Sequence, residues 1–191
     1  MKEIFKNYIE KKLIGSYKDI ALHLMECAPD YFWKIPASTS GKYHPITDLG
    51  EGGLVRHSLM VARVMEDLLK MESDFTDDET YSLLIIASLF HDVKKCGDQT
   101  ENFTTEHIHP GKSAIFCMIG ASEVHDTTVS ADWIFKLGDI VMRHMGRWTT
   151  SKYSDVVLPE PNCKLSKLLH EADYIASRKY CLYEGEYFNN L

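Results

Sequence analysis

The sequence Leu83-Leu-Ile-Ile-Ala-Ser-Leu-Phe-His91-Asp92-Val-Lys-Lys95-Cys-Gly-Asp98 places an unbroken apolar run directly before an adjacent histidine and aspartate. The run over residues 83–90 predicts a buried helix. Burying the carboxylate of Asp92 at the end of such a helix costs free energy unless a partner compensates for it. A divalent metal is a suitable partner for an imidazole beside a carboxylate. The alternative is a helix that ends in a polar loop, with His91 capping the last carbonyls.

Length and composition predict one soluble domain over residues 1–191, because 45% of the residues are hydrophobic and 26% are charged. The longest apolar run is too short to span a membrane, and the N-terminus has no apolar signal-peptide region. Five cysteines without a Cys-x-x-Cys pair favour reduced thiols. We therefore expect a cytoplasmic protein without a membrane partner. A net charge of −7 argues against a broad basic nucleic-acid surface, although a local positive site remains possible.

The spacing of apolar residues predicts an all-α fold of about six to eight helices. Besides the helix that ends at His91, helices are expected over residues 2–13, 17–27, 54–71, 110–120, 131–145 and about 163–182. Asp77 or Asp78 is expected to cap the helix before His91. Residues 28–54 form a long Gly- and Pro-containing loop, and its aromatic residues favour an ordered structure over a disordered one.

Polar residues on these apolar helices, or at their ends, form a second pattern. They come from five separate places in the chain: His57, the pair His91-Asp92, His109, His144 and Asp173. A single histidine on an apolar helix is more often a hydrogen-bonded core residue than a metal ligand. Six such residues in one small domain are harder to explain in that way, so we consider them together as a candidate metal site.

The order of these residues resembles the HD superfamily of metal-dependent phosphohydrolases, over about residues 50–180. The similar segments are Gly52-Gly-Leu-Val-Arg-His57, Leu89-Phe-His91-Asp92-Val-Lys-Lys95, His109-Pro-Gly-Lys, Arg143-His144-Met-Gly and Glu171-Ala-Asp173. The first of them, together with Pro159-Glu-Pro161, is most similar to the HD domain of bacterial YhaM-type 3′-to-5′ exoribonucleases. Those enzymes carry an added OB-fold domain, for which this sequence has no counterpart. The resemblance implies an HD helical bundle, onto which residues 1–49 are expected to pack.

The resemblance implies that His57, His91, Asp92 and Asp173 hold a divalent metal. His109 and His144 would hold a second one, bridged by Asp92. His107 is an alternative to His109, which we prefer for its position just before a helix. Nitrogen and carboxylate ligands suit Mn, Fe, Co, Ni or Zn, so one or two ions of unknown identity are expected.

The implied function is hydrolysis of a phosphoester or phosphoanhydride of a nucleotide or nucleic acid by a metal-activated water. Asp92 and Lys95 would be catalytic, the latter by stabilising charge on phosphoryl oxygens. The predicted substrate contacts are Trp33 and Ile35 for a base, and Lys112, Arg143 and Arg147 for phosphates. Alternatives are a 3′-to-5′ exoribonuclease or phosphodiesterase, and a non-catalytic HD module that binds a ligand. The general acid (Asp98, Glu101 or Glu106) and the oligomeric state are left open.

Overall fold

Helices account for the regular structure in the computed structural model, which describes residues 1–38, 40–75, 77–101, 103–124 and 128–191. The eight α-helices are α1 (Lys2–Lys12), α2 (Gly15–Cys27), α3 (Gly53–Met71), α4 (Asp78–Phe90), α5 (His109–Glu123), α6 (Ala131–Met142), α7 (Lys164–Ala176) and α8 (Gly185–Asn189). Two 3₁₀ turns cover Asp30–Trp33 and Ile46–Asp48. Extended pairing in the described residues is limited to one isolated bridge between Ser151 and Ser154. The predicted all-α bundle is confirmed.

Helix α4 is the centre of the bundle, as its sequence predicts. Every residue from Ser82 to Phe90 is buried, and the helix packs against α2, α3, α6 and α7. Asp77 caps its first turn by accepting a hydrogen bond from the amide of Thr80 at 2.7 Å. Because the apolar run ends at Phe90, His91 and Asp92 come directly after the most buried helix and stay inside the protein.

Two helices end earlier than their apolar patterns predict. Helix α6 stops at Met142, so that His144 lies in the turn beyond it. Helix α7 stops at Ala176, where the carbonyl of Tyr174 accepts hydrogen bonds from Ser177 Oγ and Arg178 Nε. The amide of Arg178 therefore donates its hydrogen bond to the carbonyl of Ile175. Side-chain hydrogen bonds thus replace the next helical one and end the helix.

The long loop before α3 is held against the start of that helix by backbone hydrogen bonds. The amide of Leu54 donates to the carbonyl of Ile35 at 3.0 Å, and that of Ala37 donates to the carbonyl of Asp48 at 3.0 Å. Asp48 is completely buried. None of the helices in the described ranges is both long and apolar enough to cross a lipid bilayer.

A buried carboxylate ties three helices to α3. Glu66 accepts hydrogen bonds from the hydroxyls of Tyr8 and Tyr187 at 2.9 Å and from that of Tyr81 at 3.4 Å. Lys12 Nζ lies 3.0 Å from the same carboxylate. These partners come from α1, α4 and α8, so Glu66 joins both ends of the chain to the bundle.

We expect the free energy of unfolding to fall as the pH rises above about 10. Burial, followed by the charge of Glu66, raises the pKa of Tyr8 well above its ordinary value and raises that of Tyr81 in the same direction. Unfolded tyrosines release their protons near pH 10 while the folded protein keeps them. The unfolded state then binds fewer protons, so stability drops by up to about 1.4 kcal/mol per pH unit for each tyrosine.

Urea unfolding at a series of alkaline pH values measures this loss. The variant Glu66→Gln is the comparison, because it removes the charge beside Tyr8 and Tyr81 but leaves both rings buried. Its stability should fall less steeply with pH than that of the natural chain. Equal slopes in the two proteins would show that the carboxylate does not set these tyrosine pKa values.

Candidate metal centre

The six predicted ligands come together in the middle of the bundle. His57 lies near the start of α3, His91 and Asp92 follow α4, and His109 is the first residue of α5. His144 lies two residues beyond α6, and Asp173 is in α7. The first five are buried, whereas Asp173 is partly exposed, with 23% of its side chain accessible. Helix ends and one helix face thus point six polar side chains at one region.

The side chains form two groups that share His91. In the first group, Asp173 Oδ1 lies 3.0 Å from His57 Nε2 and 3.8 Å from His91 Nε2. In the second, Asp92 Oδ2 lies 3.7 Å from His91 Nε2. Asp92 Oδ1 lies 2.9 Å from His109 Nε2 and 3.5 Å from His144 Nε2. The ligand atoms of His57, His91 and Asp173 lie close enough together for one ion to reach all three, and so do those of His91, Asp92 and His144.

Backbone carbonyls orient three of the histidines in the same way. The Nδ1 atoms of His91, His109 and His144 lie 2.8, 2.6 and 2.8 Å from the carbonyl oxygen three residues earlier in each case. A carbonyl oxygen only accepts, so Nδ1 carries the proton and Nε2 keeps its lone pair. All three lone pairs face the carboxylates, which is the arrangement that metal-binding histidines adopt.

This arrangement leaves acceptor atoms facing one another. His109 Nε2 and Asp92 Oδ1 approach to 2.9 Å with no proton to share. Asp92 Oδ1 and His91 Nε2 are buried without a hydrogen-bond partner, and such atoms cost about 1–3 kcal/mol each. A cation would satisfy both, and the imidazole and carboxylate donors suit Mn, Fe, Co, Ni or Zn. The residues present therefore fit a divalent transition metal.

Local charges keep the carboxylates ionised. Burial by itself would raise the pKa of Asp92, but the ammonium of Lys95, 2.5 Å away, and the neighbouring histidines hold it well below its usual range. Burial lowers the pKa of His91 to about 4. For His57, burial is outweighed by Asp173 and Asp48, which raise the pKa to about 9. Asp92 therefore remains an anion and His91 a neutral ligand at neutral pH.

Asp48 is a site residue that the sequence did not indicate. Its Oδ2 accepts a hydrogen bond from His44 Nδ1 at 3.4 Å and lies 3.4 Å from His57 Nδ1 without hydrogen-bond geometry, so its charge lies directly behind the ring of His57. A buried carboxylate that holds a metal-binding histidine in this way raises the basicity of the ligand nitrogen. A single aspartate in an irregular loop has no spacing that would have pointed to this role.

A cavity of about 620 Å³ opens over the histidines and carboxylates. Lys95 and Arg147 line it. The sequence predicted a catalytic role for Lys95 and a phosphate contact for Arg147. Unpredicted residues line it too: His44, Tyr43, Trp148, Tyr174 and Arg178. Of the two alternative histidines, His109 lines the cavity, whereas His107 contacts the carbonyl of Val156 at 2.9 Å.

The structure places four predicted substrate contacts elsewhere. Trp33 packs in the core, edge-on against Phe5 at 5.4 Å, because the 3₁₀ turn that carries it lies under α1. Ile35 lines a separate cavity of about 270 Å³. Lys112 pairs with Glu106 at 2.9 Å, and Arg143 pairs with Asp139 at 2.8 Å. In the structure, these four side chains therefore lie outside the lining of the metal cavity.

The candidate general acids are also outside the cavity. Asp98, Glu101 and Glu106 are not among its described lining residues. Asp98 instead pairs with Lys94 and Lys112 on the surface. No acid from the loop that the sequence singled out therefore reaches this cavity.

Comparison with known proteins agrees with this geometry. The model of the HD domain family matches residues 54–178, a span that includes all six candidate ligands. The searches of curated proteins and of solved structures find no match. HD domains bind divalent metals, and the two groups of ligand atoms described above lie within the matched span. This chain belongs to the HD domain family.

Proposed function

We propose that this protein is a metal-dependent phosphohydrolase that cleaves a phosphoester or phosphoanhydride bond of a nucleotide or nucleic-acid end. The observation that carries the proposal is the position of Asp92. One of its oxygens faces His109 and His144, and the other lies 3.7 Å from His91 Nε2. This buried anion lies between His91 on one side and His109 and His144 on the other, as a ligand shared by two metal ions would.

The proposed ligands divide between two ions. His57, His91, Asp92 and Asp173 would hold the first, and His109 and His144 would join Asp92 at the second. A bound divalent metal would lower the pKa of a water molecule to about 7 and polarise a phosphoryl oxygen. The chain itself keeps the Nε2 lone pairs of His91, His109 and His144 aimed inward through three backbone carbonyls, and the carboxylate of Asp48 lies behind His57.

Cationic side chains supply the phosphate-binding part of the proposal. Burial opposes the charge of Lys95, but Asp92 raises its pKa, so the ammonium stays protonated at the floor of the cavity. The guanidinium of Arg147 lines the same cavity. Such groups stabilise the charge that develops on phosphoryl oxygens. A chain of net charge −7 thus presents local positive charge where the phosphate would bind.

The nature of the substrate divides the proposal into two enzymes. A nucleotide phosphatase is favoured by the cavity of about 620 Å³, which is the size of a small-molecule site. A 3′-to-5′ exoribonuclease or phosphodiesterase of the YhaM type is the alternative, supported by the additional pair His109 and His144. A non-catalytic module is less well supported, since none of the expected ligands has been lost.

The test supplies chelator-treated protein with Mn²⁺, Co²⁺, Ni²⁺, Zn²⁺ or Mg²⁺, and with nucleotides, a cyclic dinucleotide or a short RNA. We expect hydrolysis with the transition metals and much less with Mg²⁺, which prefers oxygen ligands. Orthophosphate from a mononucleotide would identify a phosphatase, and nucleotides from the 3′ end of RNA an exonuclease. Absence of hydrolysis with every metal and substrate would favour the non-catalytic module.

We also propose that the chain works in the cytoplasm as one domain, with residues 1–49 packed on the HD bundle. All five cysteines are free, which suits a reducing compartment. Helix α2 contacts both α4 and α5.

Sedimentation of the purified protein would determine its oligomeric state.

A further inference from the structure

One wall of the metal cavity is built from planar side chains, of which the proposed hydrolysis uses only Arg147. We call Tyr43, Arg147, Trp148, Tyr174 and Arg178 the aromatic wall, and all five line the cavity. They come from three separate segments: the loop before α3, the loop after α6 and the end of α7 with the residues that follow. The tertiary structure brings them together beside the proposed metal ligands.

The planes of the aromatic wall are stacked in sequence. Trp148 and Tyr174 lie nearly parallel, with ring centres 5.9 Å apart and planes 15° from parallel. Arg147 lies over Trp148 at 5.1 Å. Arg178 lies 4.1 Å from the Tyr174 ring and 5.6 Å from the Tyr43 ring. Rings and guanidinium groups therefore contact one another in a row along this side of the cavity, in the order Tyr43, Arg178, Tyr174, Trp148 and Arg147.

Within the wall, Arg178 is held in place before any ligand binds, because its guanidinium is hydrogen-bonded to its own neighbours. Its Nε donates to the carbonyl of Tyr174 at 3.0 Å, and one terminal nitrogen donates to Ser177 Oγ at 2.9 Å. The first of these is one of the hydrogen bonds that end α7. A guanidinium held in this way loses little further entropy when a flat ligand is placed against it.

The rings of the wall are exposed, in contrast with the other tryptophans. Trp148 is 44% exposed and Tyr43 is 53% exposed, whereas Trp33 and Trp133 are 9% and 1% exposed. A sugar phosphate or alkyl phosphate would leave the face of Trp148 in water. A flat aromatic group attached to the phosphate would cover it, and guanidinium groups stack on such rings as well.

We propose that the aromatic wall binds the base of a nucleobase-bearing phosphoester, with Trp148 as the main stacking surface. This inference rests on the proposed phosphohydrolase function and defines the substrate class for the same cavity. Stacking accepts any base, because every base has a π face. A mononucleotide and the terminal nucleotide of an RNA share this chemistry.

Binding is tested by fluorescence of the full chain loaded with Zn²⁺. Trp148 is the exposed one of the three tryptophans, so the part of the fluorescence that a stacked base can quench comes mainly from it. The ligands are the methylene phosphonate analogue of AMP, which cannot be hydrolysed, a short oligoadenylate, and ribose 5-phosphate. We expect saturable quenching by at least one of the two base-containing ligands and none by ribose 5-phosphate. Which of the two quenches distinguishes the sources of the base.

Kinetics test the same inference through a ratio. The variant Trp148→Ala should lower kcat/KM for AMP relative to that for ribose 5-phosphate about tenfold, the size expected for losing one stacking surface. Trp148→Phe keeps a ring and should keep most of the preference. The control is Tyr153→Ala, which removes a more exposed ring outside the cavity and should leave the ratio unchanged.

The outcomes separate this inference from the proposed function. Equal quenching by ribose 5-phosphate, no quenching by either base-containing ligand, or an unchanged ratio in Trp148→Ala would overturn the aromatic wall as a base site. Hydrolysis of no phosphoester with any metal would overturn the function alone. In that case, quenching by a base-containing ligand still supports the wall as a nucleotide site, and its absence still refutes it.

Discussion

The variant Asp92→Asn is expected to lose metal-dependent hydrolysis by at least about a thousandfold. The carboxylate of Asp92 approaches His91, His109 and His144 to 3.7, 2.9 and 3.5 Å. A neutral amide of the same shape removes the negative charge that these three histidines face. Since metal ions supply several kcal/mol of transition-state stabilisation, losing them gives an effect of this size. Elemental analysis and kcat, measured on the same preparation, check the prediction.

The control for this variant is Asp139→Asn. Asp139 is an exposed carboxylate that pairs with Arg143 outside the cavity, so both metal content and activity should be unchanged. Circular dichroism separates a folded, inactive Asp92→Asn from an unfolded one, which matters because Lys95 loses its partner. Metal content and kcat close to those of the natural chain would falsify the assignment of Asp92 as the shared ligand.

The variant Gly53→Ala should destabilise the protein by about 3 kcal/mol, at the upper end of the usual cost of overpacking. A methyl group there would lie 2.0 Å from the carbonyl oxygen of Asp48 and 3.0 Å from the Cα of Pro36. Both are backbone atoms, so the loop must move away from α3. Asp48 would then withdraw from His57, and metal affinity should fall together with stability.

The matched control for this prediction is Gly111→Ala in α5, where an added methyl group meets nothing within 4 Å. Alanine has the higher helix propensity, so this change should leave stability equal or raise it by about 0.5 kcal/mol. Urea unfolding of the two variants compares the same substitution in a tight and an open position. If both variants were as stable as the natural chain, the close approach of Gly53 to Asp48 would not contribute to the free energy of unfolding.

The helices could be predicted from the sequence because their apolar spacing is local information. The run before His91 predicted α4, and the structure buries every residue from Ser82 to Phe90. Helix ends were less predictable. The carbonyl of Tyr174 is taken by the side chains of Ser177 and Arg178, and apolar periodicity does not report such hydrogen bonds. For that reason α7 ends at Ala176 and not near residue 182.

The aromatic residues of the site also show which features could be predicted from the sequence and which could not. The resemblance to HD enzymes implied that Trp33, which precedes the first histidine, contacts a base, yet this ring packs against Phe5 in the core. Trp148 and Tyr174, which stack beside the cavity, lie 26 positions apart in the sequence. Neither residue belongs to a sequence motif that would predict a place at the cavity. The exposure of an aromatic ring depends on which helices pack over it, and the order of residues does not state this.

The sequence by itself determined the class of helical bundle and the identity of six candidate ligands, because apolar periodicity and the order of histidines and acids are properties of the chain alone. Only the tertiary structure decided how those ligands are oriented. It placed carbonyls behind three imidazoles and Asp48 behind His57. It also chose Trp148 over Trp33 as the ring at the cavity. Contacts between segments that are distant in the sequence depend on how the helices pack, so they can be identified only in the folded structure.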